Sequence, residues 1–346
     1  MPTFHGKILI VKLSALGDVI ASTGLITQLK KENPECTIKH LVMSQCKIVT
    51  QNLEQVDEVI EIPLIPSGNI IVDIKNTAFL LLKLMNERFD IAIILHRSIL
   101  LQVICKIAGI KRLIGYKTKA SILLSEFAEF SMIGNRSVQE VVLVKKAKLI
   151  SREPERLSFQ IDEARINFDK LKFLPNNFIV INPGGGNPHA PAINKQWPEN
   201  LWVKFINQCP LQVVMIGNGN EDQVISDKIS KKAMPFINLV NKTNLHESAF
   251  ILKKSSVYVG NDSAMLYLAA AIGGVRCIGL YGPTNASAFK PLGANQISIQ
   301  GESFCSPCYS SMDGIKGRMY TCSDNICMKS ISVEQVLQYT EKYLNE

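Results

Sequence analysis

The chain has 346 residues, of which 47% are hydrophobic and 20% are charged, and its formal net charge is +8. This composition excludes a disordered protein, and the length favours two domains over one. Basic residues occur only in short runs without interleaved aromatic residues, which argues against nucleic-acid binding. The positive excess suits an anionic membrane surface or a phosphorylated substrate, and an ordinary solvated surface equally well.

Nothing in the sequence predicts secretion or membrane insertion. His5, Gly6 and Lys7 lead directly into an apolar strand, so no signal peptide is expected. The longest apolar stretch, residues 91–110, is interrupted by polar and charged side chains and is unsuited to span a bilayer. We expect a cytoplasmic protein, able to bind peripherally at the cytoplasmic membrane, whose nine cysteines are mostly reduced.

The first half of the chain alternates between predicted strands and helices. Strands are predicted at residues 8–12, 37–43, 56–62, 89–95 and 112–116, which is the last strand of this half. Helices are predicted at 19–31, at 73–87 and from the end of the strand 89–95 through Ala108, and the inner face of 73–87 is assigned to Phe79, Leu80, Leu84 and Met85. Such strand–helix–strand units predict a parallel sheet covered on both faces.

A charged segment, residues 151–177, is the predicted linker to a second series of the same kind. Its strands are predicted at 178–182, 212–216, 238–240, 257–259 and 277–281, and its helices at 198–208, from Glu221, and at 245–252, 265–272 and 332–344. We therefore expect an α/β fold of two doubly wound domains that face each other across a cleft. Their predicted bounds are 1–170 and 178–330, followed by a C-terminal helix, 332–346.

The first predicted strand ends in KLSALGD, residues 12–18. Gly17 permits a tight turn or the close approach of a ligand. Asp18 at the mouth of the cleft could accept a proton from a substrate hydroxyl, or it could cap a helix that starts at Val19.

Glycine-rich corners follow two strands of the second half. Gly184 belongs to the run NPGGG at 182–186, which indicates either backbone packed near a ligand or a mobile loop. The run GNGNED at 217–222 nearly matches a dinucleotide fingerprint, but Asp222 replaces its third glycine, which argues against a nicotinamide site. Glu221 could bind a ribose or only stabilise the start of its helix. No P-loop motif is present, so a P-loop kinase or ATPase is not expected.

Two further features carry possible chemistry. Asn261, Asp262 and Ser263 separate a buried strand from an apolar helix, and a helix N-terminus there suits an anion such as a diphosphate, although these residues could be only a helix cap. A loop also contains four cysteines with the spacing of a tetrahedral metal site, zinc by default and iron as the alternative; the other interpretation is free thiols or labile disulfides. These are Cys305, Cys308, Cys322 and Cys327.

Together, these corners resemble glycosyltransferase family 9, the ADP-heptose:lipopolysaccharide heptosyltransferases. The resemblance covers nearly the whole chain. It rests on ILIVKLSALGDVI at 8–20, FDIAIILHRS at 89–98, RLIGY at 112–116, KQWP at 195–198, NDSAMLYLAAA at 261–271 and LYGPT at 280–284, and on the cysteine pattern within residues 305–327.

The resemblance implies a GT-B fold, with an amino-terminal acceptor domain, a carboxyl-terminal nucleotide-sugar domain and inverting chemistry without a catalytic metal. It implies heptose transfer from ADP-heptose to a lipopolysaccharide core acceptor. Asp18 would be the general base, and Lys195 would act at the departing phosphate. The other residues that it assigns to substrate binding are Lys12, Ser14, Gly17, Gly184, Glu221, Asp262, Ser263, Ala264 and Tyr267.

The chain departs from the family pattern at two of these positions. Ala264 stands where the family commonly has glycine, and Tyr267 stands where it commonly has histidine. The loop 186–191 also looks individual to this protein. A transferase for another nucleotide sugar, a transferase with a protein acceptor and a non-catalytic binding or assembly protein are therefore the alternatives.

Overall fold

The computed structural model describes residues 3–63, 68–131, 134–185, 193–293, 295–310 and 316–346. The chain divides into two compact units, Met1–Gln160 and Ile161–Glu346. The division lies inside the charged segment 151–177 and before residue 170, the end predicted for the first domain. The loop 186–191 lies outside the described residues.

The first unit is built on a six-stranded sheet in which all neighbouring strands are parallel, in the order β3-β2-β1-β4-β5-β6. Its strands are β1 (Lys7–Lys12), β2 (Thr37–Met43), β3 (Glu58–Ile62), β4 (Ile91–Ile94), β5 (Arg112–Tyr116) and β6 (Glu126–Ala128). Its helices are α1 (Leu16–Glu32), α2 (Lys47–Thr50), α3 (Ile70–Glu87), α4 (Ile99–Ile107) and α5 (Arg136–Lys146).

Burial on both faces explains why the central strands of this sheet are continuous apolar runs. Successive side chains of β1 point to opposite faces. Ile8 and Ile10 join the core that contains residues of α1 and α5, whereas Leu9 and Val11 join the core that contains residues of α3 and α4. The sheet therefore lies between two helical layers, and its strand ends are left for polar groups.

The structure corrects the prediction for the inner face of α3. Leu80 and Leu84, one turn apart, are 1% and 0% exposed. Phe79 and Met85 are 64% and 46% exposed, so their assignment to the inner face was wrong. At 100° per residue, these two side chains point away from the stripe formed by Leu80 and Leu84.

The second unit has the same architecture, with a parallel sheet in the order β12-β11-β10-β7-β8-β9. Its strands are β7 (Phe178–Asn182), β8 (Gln212–Met215), β9 (Ile237–Asn238), β10 (Val257–Asn261), β11 (Arg276–Tyr281) and β12 (Asn295–Gln300). Its helices are α6 (Glu199–Gln208), α7 (Asn220–Ser230), α8 (Leu245–Lys254), α9 (Ala264–Ile272), α10 (Ala286–Phe289), α11 (Arg318–Thr321), α12 (Ile326–Lys329) and α13 (Val333–Asn345).

Both sheets reverse their strand order next to the first strand of the unit. In the first unit the reversal lies between β1 and β4, and in the second it lies between β7 and β10. Ligands of doubly wound proteins bind beyond the carboxyl ends of the strands at this point. The topology therefore places one candidate binding corner in each unit. None of the described helices is long and apolar enough to cross a membrane.

Candidate active site

The corner of the first unit contains a buried ion pair at the end of β1. Lys12 is 4% exposed, and its Nζ donates to a carboxylate oxygen of Glu140 on α5. Burial raises the pKa of Glu140, against the opposing effect of the Lys12 charge. The other carboxylate oxygen of Glu140 has no hydrogen-bond partner within the described parts of the chain. A buried ion pair of this kind contributes little to stability. Its position at the candidate binding corner therefore makes Lys12 and Glu140 candidates for a functional role.

Two buried histidines surround Lys12. The Nε2 of His96, just after β4, accepts a hydrogen bond from the Leu13 N–H at 2.6 Å. Burial, with a further contribution from the Lys12 charge, lowers the pKa of His96 to about 4, although the Asp18 charge opposes the shift. On β2, burial and the Lys12 charge lower the pKa of His40 to about 3. Both rings are therefore neutral near pH 7.

Asp18 lies at the same corner but does not cap α1. The helix begins at Leu16, so Asp18 is in its first turn, and Ala15 occupies the cap position without a side-chain hydrogen bond. The capping alternative is therefore wrong. The Asp18 side chain is exposed, and its charge acts on His96, Cys46 and Glu140.

The other two residues predicted at this corner are backbone neighbours of Asp18. Gly17 is helical, so the tight turn considered for it does not form. The Ser14 carbonyl accepts a hydrogen bond from the Cys46 thiol at 3.4 Å. Ser14 thus lies in the connection from β1 into α1, and Gly17 lies in the first turn of the helix. The first N–H groups of α1 have no side-chain cap.

In the second unit, Ser263 ends the connection from β10 to α9. Its backbone has the cap conformation, but its hydroxyl donates to Asn182 Oδ1 at 3.0 Å and makes no cap hydrogen bond. The cap-only interpretation is therefore wrong. Ala264 begins α9 in a partly exposed position. Without a side-chain cap, the first turn of α9 keeps the N–H groups and the dipole that favour an anion.

An ion pair between Lys195 and Asp262 lies beside this helix start. The Lys195 Nζ donates to Asp262 Oδ2 at 2.8 Å. Burial favours the neutral amine, but the Asp262 charge and hydrogen bond outweigh burial and raise the pKa of Lys195. The same Nζ is 5.8 Å from the ring centre of Phe289 and 5.5 Å from that of Tyr309. The lysine is therefore held as a cation in a partly aromatic environment.

The side-chain amide of Asn261 joins three segments of this corner. Asn261 is fully buried at the end of β10. Its Nδ2 donates to the carbonyls of Pro183 and Gly184 at 2.6 and 3.1 Å, and its Oδ1 accepts from the Trp197 N–H at 3.0 Å. One amide thereby fixes the glycine-rich segment and the Lys195 segment against the strand that leads to Asp262.

Asp222 has a role here that its sequence position did not predict. Its Oδ1 accepts from Asn182 Nδ2 at 3.0 Å and from the Gly185 N–H at 3.3 Å. A Cβ on Gly184 would lie 2.2 Å from the same oxygen, and a Cβ on Gly217 would lie 2.4 Å from it. Gly184 and Gly217 therefore leave the space that the Asp222 carboxylate occupies. From this position the carboxylate accepts hydrogen bonds from Asn182 and Gly185.

Glu221, next to Asp222, lines a cavity of about 630 Å³. Burial raises the pKa of its carboxyl, and its Oε2 is buried without a hydrogen-bond partner in the described residues. A buried acceptor without a donor suits a ligand that brings hydroxyl groups. Ribose binding by Glu221 therefore stays a prediction, beside a stabilising role at the start of α7.

The hydroxyl of Tyr267 has a backbone partner. Tyr267 is 8% exposed, and its hydroxyl donates to the Phe289 carbonyl at 2.9 Å. The residue that departs from the family pattern therefore packs α9 against the end of α10. Since the Phe289 ring lies near Lys195, this contact also helps to shape the surroundings of the cation.

The four cysteines of the loop line one cavity of about 310 Å³. All four are free, and their charges act on one another, which contributes to the raised pKa values of Cys308 and Cys327 after the larger effect of burial. The Asn325 N–H donates to Cys322 Sγ at 3.3 Å, a contact that would also stabilise a thiolate. Among the described residues, however, no three His, Cys, Asp or Glu side chains are arranged to bind a metal. The donor chemistry fits zinc or iron.

Two parallel sheets of Rossmann strand order, each with a polar corner at its switch point, define a two-domain α/β transferase fold of the GT-B type. The family model for glycosyltransferase family 9 (heptosyltransferase) matches residues 79–317. The chain belongs to this family, and it is a glycosyltransferase.

Relatives and solved structures agree with this assignment. Lipooligosaccharide heptosyltransferase 2 of Haemophilus influenzae is 29% identical over 306 residues, which cover 83% of this chain and 86% of that protein. A family 9 glycosyltransferase structure from Veillonella parvula has a TM-score of 0.83 at 20% identity, with 100% and 99% of the two chains covered. The structure of Escherichia coli ADP-heptose lipopolysaccharide heptosyltransferase II has a TM-score of 0.77 at 20% identity, with 98% of each chain covered.

The two buried histidines generate a prediction for pH. Below pH 6.5 the unfolded chain binds protons that His40 and His96 cannot bind when folded, so acid removes stability from the first unit. The raised pKa of Glu140 acts in the opposite direction. Each histidine should cost about 2 kcal/mol of unfolding free energy between about pH 6.5 and about pH 5.

Urea unfolding of the full chain at these two pH values measures the effect. The His40→Gln variant should lose about 2 kcal/mol less on acidification than the unsubstituted protein. His5→Gln, at an exposed position, is the matched control and should lose as much as the unsubstituted protein. An unchanged acid loss in His40→Gln would contradict the assignment of a buried neutral ring.

Proposed function

We propose that this protein is an inverting glycosyltransferase that moves heptose from ADP-heptose to a lipopolysaccharide inner-core acceptor. The observation that carries the proposal is the Lys195–Asp262 pair beside the uncapped start of α9, in a chain that belongs to the heptosyltransferase family. The named functions of its relatives support the choice of sugar and acceptor.

In this proposal the second unit binds the donor. The first-turn N–H groups of α9 bind the diphosphate, and Glu221 accepts hydrogen bonds from the ribose. When the bond between the anomeric carbon and the phosphate oxygen breaks, negative charge develops on ADP. Lys195 and the helix start stabilise that charge more strongly in the transition state than in the bound donor.

The first unit binds the acceptor in this proposal, and Asp18 accepts the proton of the attacking hydroxyl. The acceptor oxygen forms its bond to the anomeric carbon on the face opposite the leaving ADP, so the configuration inverts. An exposed carboxylate in the first turn of α1 is free to reach a hydroxyl. Lys12 supplies positive charge at the same corner, and none of these steps requires a metal.

A transferase for a different nucleotide sugar is the second candidate, favoured by the fixed position of Tyr267. Its hydroxyl already donates to the Phe289 carbonyl and cannot act as a titratable imidazole would. Calorimetric titration with ADP, UDP, GDP and CDP separates the two candidates, because tighter binding of UDP or GDP than of ADP would overturn the ADP-heptose proposal.

The role of Asp18 is tested with Asp18→Asn. Removing a general base should lower kcat by about 10²–10⁴-fold, while the Kd for ADP stays within about two-fold because the nucleotide binds to the other unit. Transfer of radiolabelled heptose and calorimetry with ADP are the measurements. Asp73→Asn, also in the first turn of a helix, is the control that should keep full activity. Full transfer by Asp18→Asn would overturn the assignment.

We also infer that the four-cysteine cavity binds a structural metal, zinc or iron. Four thiolates would fill a tetrahedral site, so the metal would brace the loop and take no part in transfer. Elemental analysis of the purified protein should give about one metal ion per chain, and Cys308→Ser should lose it. Cys105→Ser, at a buried cysteine of the first unit, should retain it. A metal-free unsubstituted protein would contradict the inference.

Peripheral membrane contact is the last part of the proposal. The outer surfaces of α3 and α4, which share one core cluster, expose a set of large apolar side chains: Ile70, Ile71, Ile74, Phe79, Leu82, Met85, Ile99, Leu100 and Ile107. The same two helices and the segments that follow α4 and β5 carry exposed lysines: Lys75, Lys106, Lys111 and Lys119. Apolar side chains with a basic rim suit an anionic lipid surface and would repel a second copy of the same surface.

Vesicle sedimentation tests this contact. The protein should bind vesicles that contain phosphatidylglycerol at least about five-fold more strongly than phosphatidylcholine vesicles, because each basic residue near the surface contributes about 1 kcal/mol. Ile71→Ser with Leu82→Ser should abolish the binding. Met234→Ser, at an exposed apolar residue of the second unit, is the control. Equal binding to both vesicles, or concentration-dependent dimers instead of vesicle binding, would contradict it.

A further inference from the structure

Lys195 lies in a short segment whose two flanking residues are both held by the cysteine-rich loop. On one side, Asn194 Nδ2 donates to the carbonyls of Met319 and Cys322 at 2.8 and 2.9 Å. On the other side, the Gln196 carbonyl accepts from Asn325 Nδ2 at 3.1 Å. The backbone that carries the cation is therefore fixed from both sides by residues between the cysteines.

Asn325 makes this connection with its backbone N–H and with both polar atoms of its side chain. Its N–H donates to Cys322 Sγ at 3.3 Å, and its Oδ1 lies 3.9 Å from Cys327 Sγ, which donates to it. Its Nδ2 bonds the Lys195 segment. Its φ of 53° is left-handed, a conformation that asparagine adopts more readily than most residues. One residue thus contacts two cysteines, through its backbone and its side chain, and the segment that bears the cation.

A separate contact joins the other end of the loop to the same cation. The N–H groups of Cys308 and Tyr309 both donate to the Pro283 carbonyl at 2.9 Å. This fixes Tyr309, whose ring centre is 5.5 Å from Lys195 Nζ. The cysteine cavity is therefore connected to Lys195 through its backbone and through the aromatic ring beside its ammonium group.

We propose that Asn325 is a positioning residue for Lys195, and that through Asn325 the state of the four-cysteine cavity sets the position of the cation at the donor corner. The inference rests on the proposed function, because it takes Lys195 as the group that stabilises the leaving diphosphate. It does not require that a metal occupies the cavity, since the contacts run through the backbone and the thiols themselves.

The first test is Asn325→Asp, which keeps the size and the left-handed tolerance of the residue but replaces the Nδ2 donor with an oxygen facing the Gln196 carbonyl. A displaced Lys195 should lower kcat about ten-fold with less than about two-fold change in KM, because misplacement of a transition-state group by about 1 Å costs up to about 100-fold. Asn194→Ser, which removes the donor on the other side, should act in the same direction. Asp324→Asn, at an exposed neighbour whose carboxylate pairs with Lys329, is the control that should keep kcat.

A double-mutant cycle separates positioning from a general loss of structure. In a Lys195→Met background, Asn325→Asp should change kcat by less than about two-fold, because the group that it positions is gone. A ten-fold loss in both backgrounds would overturn the inference. If Lys195→Met itself retains the full kcat, the proposed function fails instead. If Asn325→Asp does not fold, Asn194→Ser enters the same cycle.

Thiol reactivity gives a readout that does not depend on transfer. Coupling between two sites is reciprocal, so in protein freed of metal by a chelator, ADP at the donor corner should slow the reaction of Cys322 and Cys327 with a thiol reagent, followed by mass spectrometry. We expect at least about three-fold protection by ADP in the unsubstituted protein and little in Asn325→Asp. Equal protection in both proteins, or none in either, would overturn the connection through Asn325.

Discussion

The buried amide of Asn261 is the interaction on which the second-unit corner depends. Parallel strands end at one edge of the sheet, and the loops that leave them carry backbone groups that a buried corner must satisfy. Asn261 satisfies three of them, in Pro183, Gly184 and Trp197. Because these loops bear the glycine-rich segment and Lys195, the relative position of the groups proposed to bind the diphosphate follows from one side chain at the end of β10.

The two units share a strand order but fill the same edge with different chemistry. The first unit has a buried Lys12–Glu140 pair beside two histidines, whereas the second has the Lys195–Asp262 pair and an amide network around the Asp222 carboxylate. An amide network keeps its hydrogen bonds at all ordinary pH values. In the first unit, burial lowers the pKa of both histidines and raises the pKa of Glu140. Acid should therefore act on this corner through its histidines.

Apolar strands were the most predictable part of the fold. The strands 37–43, 112–116 and 178–182 have the predicted bounds, because most of their residues are apolar and buried on both faces of the sheet. Strands β6 and β12 and helices α5, α10, α11 and α12 were missed. β6 has three residues, and β12 lies at the sheet edge, where polar side chains interrupt the apolar pattern.

Contacts between distant residues were the least predictable part of the site. Glu140 is 128 positions from Lys12, and no local pattern connects them. Asp222 looked like a defect in a dinucleotide fingerprint, because its meaning depends on the space that Gly184 and Gly217 leave beside it. The cysteine spacing predicted a metal site; the four thiols line one cavity, but among the described residues no three such side chains are arranged to bind a metal. Its connection to Lys195 runs through asparagines, which carry no motif.

An acidic residue at a proposed anion site requires an explanation, and the ion pair supplies it. Asp262 alone would repel a diphosphate at the start of α9. Paired with Lys195 at 2.8 Å, its charge is balanced before the donor arrives, and the helix N–H groups remain as the attractive element. As charge develops on the leaving group, the lysine can share its three donors between Asp262 and the phosphate. The carboxylate then keeps the ammonium group charged and in place, which explains why a lysine that is already paired can still serve the reaction.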